Sequence, residues 1–240
     1  MKKNALLILA LTSLSAQAHA LTTGDIAFTS FNADEDGWSV VTFVDIAANS
    51  TIYFRDDEWN GSSFNTGEGL HTWSTGAATI GAGSVIRFSK VDQASRSASI
   101  GTLSSTGDTG LNASTETIYA YLGSNINSPT TFLAGISSEG TTNLAPAGLV
   151  SGSSAVVVTN STDYAVYSGP RAGQASFADY KALVGNAANW TIAVGGDQAA
   201  QIPDSTAFTI TPVPEPETYA FMLAGLGMVG LMSRRRAAKA

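Results

Sequence analysis

Short runs of Val, Ile, Thr, Tyr and Phe recur along residues 21–211, broken each time by clusters of Gly, Asn, Asp and Ser. Such runs are too short for ordinary helices, and β-branched and aromatic side chains favour extended chain between turn-forming residues. The pattern predicts strands at Asp25–Phe31, Ser39–Ile46, Thr51–Arg55, Ser84–Phe88, Glu116–Leu122, Thr131–Ile136, Ala155–Thr159, Ala165–Tyr167, Trp190–Val194 and Ala207–Ile210. Leu70-His71-Thr72-Trp73 alternates in the same way. One helix is expected: Ser176 caps it, Asp179 follows three residues later, and Phe177, Tyr180, Leu183 and Val184 share a face before Gly185. No fixed-period repeat is visible, which argues against a solenoid or propeller. Many strands and one short helix predict an all-β sandwich.

The two ends follow other rules. Met1-Lys2-Lys3-Asn4, an apolar run from Ala5 to Leu14 and Ala18-His19-Ala20 make a basic start, a short apolar segment and an A-x-A cleavage site. That is a secretory signal peptide, and its apolar run is too short to span about 30 Å of hydrocarbon. Cleavage after Ala20 leaves Leu21 as the mature terminus, with Ala16-Gln17-Ala18 as an earlier alternative. At the other end Pro212-Val213-Pro214-Glu215-Pro216-Glu217 precedes an apolar stretch, Tyr219 to Met232, and then Ser233-Arg234-Arg235-Arg236. The Pro-rich spacer is stiff and extended, and the arginines form a stop-transfer cluster. The apolar helix expected between them covers about 21 Å at 1.5 Å per residue, short enough to suit temporary retention in a membrane. The chain thus divides into a signal peptide (1–20), a β domain (21–211) and a tail (212–240).

The tripartite tail resembles the PEP-CTERM sorting signal of Gram-negative bacteria. Pro214, Glu215 and Pro216 match its namesake motif, and Arg234, Arg235 and Arg236 match its basic end. The resemblance implies Sec-dependent export, recognition and cutting by the membrane protease exosortase, brief anchoring in the inner membrane, and a destination at the surface of cells that make exopolysaccharide. In the middle, Gly24-Asp25-Ile26-Ala27-Phe28, Trp38 to Ile46 and Thr51 to Asp56 are similar to lamin-tail-like domains, over about residues 24–90. That likeness implies an immunoglobulin-like β-sandwich and carries no activity of its own.

Composition narrows the chemistry. There is no Cys, so disulfides, thiol nucleophiles and cysteine-built zinc sites are excluded. Residues 21–211 hold 17 carboxylates against 6 basic side chains, a net charge of −11 that argues against a nucleic-acid partner. All four Met lie in the two ends, and 49 of the 191 middle residues are Ser or Thr, the surface of a soluble extracellular protein. His71 is the only histidine in the middle, no G-x-S-x-G elbow accompanies it, and a surface or half-buried structural role is expected. Asp34, Glu35, Asp36, Asp56, Asp57, Glu58 and Glu68 supply carboxylates for a glycoside hydrolase, but such runs ordinarily occupy solvated loop tips. Calcium suits them better: Asp34, Asp36, Asp56 and Asp57 are hard oxygen ligands beside Gly37 and Gly61, without full EF-hand spacing. The simpler alternative is an acidic turn holding no metal. Trp38, Trp59 and Trp73 lie in or near these loops, where exposed rings stack on sugars, though in sandwiches they more often fill the core.

The expectation is therefore a non-enzymatic, exosortase-sorted surface or matrix protein, structural or adhesive in exopolysaccharide or biofilm. The competing class is a secreted calcium-dependent carbohydrate-binding module or hydrolase. A pocket gathering two carboxylates, or His71 with Ser and Asp, would favour the latter.

Overall fold

The computed structural model describes residues 20–211 and, in the tail, 222–226 and 228. Twelve strands occupy the domain: β1 (Ile26–Asn32), β2 (Gly37–Thr42), β3 (Thr51–Arg55), β4 (Leu70–Ser74), β5 (Val85–Ser89), β6 (Ser97–Ala98), β7 (Thr102–Thr106), β8 (Thr117–Asn125), β9 (Ser128–Ser137), β10 (Ala155–Val157), β11 (Thr162–Tyr167) and β12 (Trp190–Val194). They form two six-stranded sheets, ordered β12-β11-β1-β2-β5-β6 and β10-β9-β8-β3-β4-β7. All strand pairings are antiparallel except β9 with β10. This is the all-β sandwich expected from the run pattern.

Alternation along each strand decides which side chains meet. In β3, Ile52 and Phe54 enter the main core, while Tyr53 packs against a second cluster on the far side of the sheet. Trp38, Phe54, Trp73 and Phe88 form the aromatic centre between the sheets, with ring centroids 5.0 to 5.6 Å apart for Phe54–Phe88, Trp38–Phe54, Trp73–Phe88 and Trp38–Phe88. Burying each such ring contributes about 1.5–3 kcal/mol. The second cluster joins Phe64, Tyr119, Tyr121, Leu144 and Leu149, with Trp59 and Phe132 packed against it. β8 is accordingly buried on both faces, Ile118 and Ala120 towards one cluster, Tyr119 and Tyr121 towards the other.

The expected helix is present as a 3-10 turn (Phe177–Asp179) running into α1 (Tyr180–Val184). Its Ser176–Asp179 capping box is formed, and Tyr180 and Val184 are buried. Two strand expectations need correction. Ser39–Ile46 stops pairing as a strand at Thr42, and Ile46 makes only an isolated bridge to Ile80. Ala207–Ile210 is not a strand. Phe208 instead plugs the core, stacked on Tyr167 at 5.7 Å, with the Arg171 guanidinium 4.9 Å above its ring, and the segment's hydrogen bonds go to loop groups of Gly83 and Arg171. Conversely β7, Thr-Leu-Ser-Ser-Thr, pairs fully with β4 although Leu103 is its only apolar residue.

Candidate functional site

The acidic loops converge on one end of the sandwich, and most of their carboxylates are tied into the fold. In the β1–β2 turn Asn32 Oδ1 accepts the Asp34 and Glu35 N–H groups, both at 3.0 Å, and Asp36 takes a left-handed φ of 56° before Gly37. Asp34 points to solvent and accepts the Gln198 N–H at 2.7 Å. Glu35 is buried and pairs with Arg87 at 2.5 Å, while Asp36 Oδ1 accepts the Leu111 N–H at 2.6 Å. Burial, with Asp92 and Asp34 nearby, pushes the Asp36 carboxyl up to about 6 against the Leu111 hydrogen bond.

Asp56 and Asp57 correct the loop-tip expectation: they are 3% and 1% exposed. Asp57 Oδ2 pairs with Arg55 Nε at 2.6 Å, and its Oδ1 accepts the Glu68 N–H at 3.2 Å. Arg55 also donates to Asn127 Oδ1 and to the Asn65 carbonyl, locking the β3–β4 loop to the β8–β9 hairpin. The Asp56 carboxyl is buried with Oδ1 unpartnered, and burial, then Glu68 and Asp57, raise it to about 8. Of the four candidate calcium ligands, Asp34, Asp36 and Asp57 thus already face protein donors. Among the described residues no group of three His, Asp or Glu side chains is arranged to hold a metal.

His71 is buried rather than half-exposed, on the core face of β4 with its ring edge-on to Trp38 at 5.0 Å. Its Nδ1 hydrogen-bonds Ser105 Oγ at 2.8 Å, and its Nε2 has no partner. Burial, helped by the charge of Arg96, lowers the imidazole to about 3, so the ring stays neutral. Asp56 faces the same space above Gly69: a Cβ there would come within 2.8 Å of His71 Nε2 and 2.9 Å of Asp56 Oδ2. Ser105, His71 and Asp56 are therefore neighbours. Yet no hydrogen bond joins imidazole and carboxyl, since His71 Nε2 has no partner, and burial raises Asp56 to about 8 while it lowers His71 to about 3. Sequence reading named Glu68 among the loop acids but missed Ser105 and Glu116. A Ser among 49 Ser and Thr carries no signal, and isolated Glu residues reveal their burial only once folded.

Beside this end, Asp57, Glu58, Phe64, Asn65, Thr66 and Glu68 line an open recess of about 470 Å³. Partial burial and repulsion from Glu58, Asp57, Glu139 and Asp108 raise Glu68 to about 7. Trp38 and Trp73 are core residues, which removes them as sugar platforms, and half-buried Trp59 packs on Phe64 and Phe132 at 4.9 and 5.3 Å.

Ala18, Pro214, Glu215, Pro216, Arg234, Arg235 and Arg236 lie outside the described residues, as do the rest of the expected signal peptide and most of the tail. Ala20 is exposed and Leu21 is buried against the main core. In the tail, 222–226 and 228 are helical, and Met222, Leu223, Leu226 and Met228 are exposed. Among the described residues no helix is long and apolar enough to cross a membrane. Domain and tail together define an all-β protein carrying a sorting signal. Residues 212–236 match the PEP-CTERM protein-sorting motif, the signal of exosortase-linked export to the cell surface or beyond. No curated protein and no solved structure matches the chain, and the lamin-tail-like resemblance of residues 24–90 finds no counterpart in these comparisons.

Proposed function

We propose that this is a non-enzymatic surface or matrix protein with a structural or adhesive role in exopolysaccharide or biofilm. Residues 1–20 take it through the Sec machinery. The apolar stretch ending at Arg234-Arg235-Arg236 holds it briefly in the inner membrane, and exosortase cuts near Pro214-Glu215-Pro216. The observation that carries this reading is the sorting motif at 212–236, directly behind a packed sandwich in which Asp36 accepts a backbone N–H and Asp57 and Glu35 pair with arginines. The test is fractionation of cells with and without the sorting protease, with both termini of the mature protein mapped by mass spectrometry. A mature start at Leu21 and a C-terminus lost only when the protease is present are expected. An unchanged C-terminus and location would defeat it.

The recess beside Phe64 and Trp59 favours a second reading, a carbohydrate-binding module. Its carboxylates would repel an anionic polysaccharide unless divalent cations bridged the two, so neutral glycans are the better ligands. Glycan binding that survives Trp59→Ala would remove this recess from consideration.

A further inference from the structure

The last stretch of the domain, residues 204–211, has no regular structure, yet its backbone is tied down. Phe208 alone among these residues is buried, and it is 2% exposed. Its ring stacks on Tyr167 and meets Phe43 and Tyr180 edge-on at 6.4 and 5.0 Å. Gly83 makes room for it: a Cβ there would lie 2.3 Å from the Phe208 carbonyl. Arg171 holds the same chain by its carbonyls. Nη1 donates to Thr206 at 2.9 Å and Nη2 to Asp204 at 3.0 Å, while Nε pairs with the Asp204 carboxylate at 3.0 Å. The Phe208, Thr209 and Thr211 N–H groups donate to the carbonyls of Gly83, Arg171 and Gln174, all at 2.8 Å. Tyr180 Oη donates to the Thr209 carbonyl at 2.6 Å. Pro212 has no N–H with which to continue this pairing. The sorting motif begins at that proline, and Pro214 follows Thr211 by three residues, about 10 Å of chain at full stretch.

We propose that this clasp, formed by Gly83, Arg171, Gln174 and Tyr180 on residues 204–211, confines cutting of the tail to bonds beyond Thr211 and so fixes where the mature chain ends. A protease that takes its substrate as extended chain binds it through the substrate's own N–H and C=O groups. Within the clasp the carbonyls of Asp204, Thr206 and Thr209 and the N–H groups of Phe208, Thr209 and Thr211 are already bonded. Cutting there must wait for the clasp to open, and opening takes Phe208 out of the core, so the rate follows the open fraction. Exposure alone would mark the segment as cleavable, since seven of its eight residues face solvent. Arg171 is thereby a positioning residue for the sorting cut, acting through the backbone it holds. That consequence rests on the sorting reading, whereas the clasp acts on any protease.

Brief digestion of the purified full chain in detergent with proteinase K, read by mass spectrometry, tests it. A resistant core ending at or beyond Thr211 is expected. Phe208→Ala removes the plug, and cutting within 204–211 should then rise about a hundredfold or more while the strands before it stay uncut. Should that variant fail to fold, Arg171→Met leaves Phe208 in place, removes the hold on the two carbonyls and should raise cutting there about tenfold. A wild-type core ending before Thr211, or a folded variant cut no faster within 204–211 than the wild type, would overturn the clasp. In cells the two readings separate. A tail left uncut in the presence of exosortase defeats sorting and leaves the digestion result standing, whereas a cut tail whose mature C-terminus lies before Thr211 defeats the clasp alone.

Discussion

Arg55→Met tests the network that holds the β3–β4 loop. Arg55 Nε meets Asp57 at 2.6 Å, its two other nitrogens reach Asn127 Oδ1 at 2.8 Å and the Asn65 carbonyl at 2.9 Å, and the guanidinium lies 4.5 Å over Phe64. Methionine keeps the apolar stem over Phe64 but removes every donor. Asp57, 1% exposed, is left as a buried charge with only the Glu68 N–H at 3.2 Å. Removing one member of a buried ion pair costs about 3–5 kcal/mol, most of it the stranded charge. With a urea slope of about 2 kcal/mol/M, the unfolding midpoint should fall by about 1.5–2.5 M at unchanged slope. Asp57→Asn in the same chain removes that charge, so the double variant should recover about 1.5 kcal/mol or more over additivity. A loss under about 1 kcal/mol, the scale of an exposed surface pair, would refute the reasoning. So would Arg55→Met costing the same with and without Asp57.

Stability as a whole should fall as pH rises. Asp36, Asp56, Glu68 and Glu116 are raised to about 6, 8, 7 and 9, so the stability they add is complete below their unfolded values near 4 and is lost as pH climbs through the folded ones. His71, lowered to about 3, acts oppositely below about 6.5 but carries one proton against four. Urea midpoints that are flat or rising from pH 5 to 8 would contradict this. Gly69→Ala should cost about 1–3 kcal/mol, because its Cβ would press on His71 Nε2, Asp56 Oδ2 and the Asp108 carbonyl at 2.8, 2.9 and 3.2 Å; a variant with an unchanged midpoint would show that these groups yield freely. Chelation by EDTA should leave the melting temperature where it was, since Asp34, Asp36 and Asp57 already accept protein donors. A clear drop would restore the calcium reading.

Strand order could not be read from the chain, but most strands could. Thr51–Arg55 and Trp190–Val194 match the structure end for end, because each is a β-branched and aromatic run with turn residues close outside it. β7 was illegible for the opposite reason: its place is fixed by pairing with β4, and Ser and Thr look alike in strand and loop. Phe208 misled because an apolar anchor in irregular chain has the same local composition as a strand. For the acids, spacing located the loops correctly and said nothing about burial. Arg55 reaches Asp57 across two residues, and Leu111 reaches Asp36 across 75, so only the folded topology reveals that these carboxylates face inward.

The sorting tail was the most legible part because its meaning is local: a proline-rich spacer, an apolar run and three arginines act in order along the chain and need no tertiary partner. The domain's charge behaves differently. Four of its six basic residues, Arg55, Arg87, Arg171 and Lys181, pair with Asp57, Glu35, Asp204 and Asp25. Of the other two, the Arg96 guanidinium also binds the Val91 carbonyl. Thirteen of the seventeen carboxylates therefore have no ion-pair partner in the domain. Some are driven towards the neutral acid by burial, as Asp56 and Glu116 are, and the exposed remainder sets the surface potential. Such a surface approaches an anionic polysaccharide only when salt or divalent cations screen it, so adhesion to charged matrix should strengthen with ionic strength up to the point where specific contacts weaken. Adhesion to a neutral glycan should show almost no salt dependence, and that contrast separates the two kinds of matrix partner whatever the sugar.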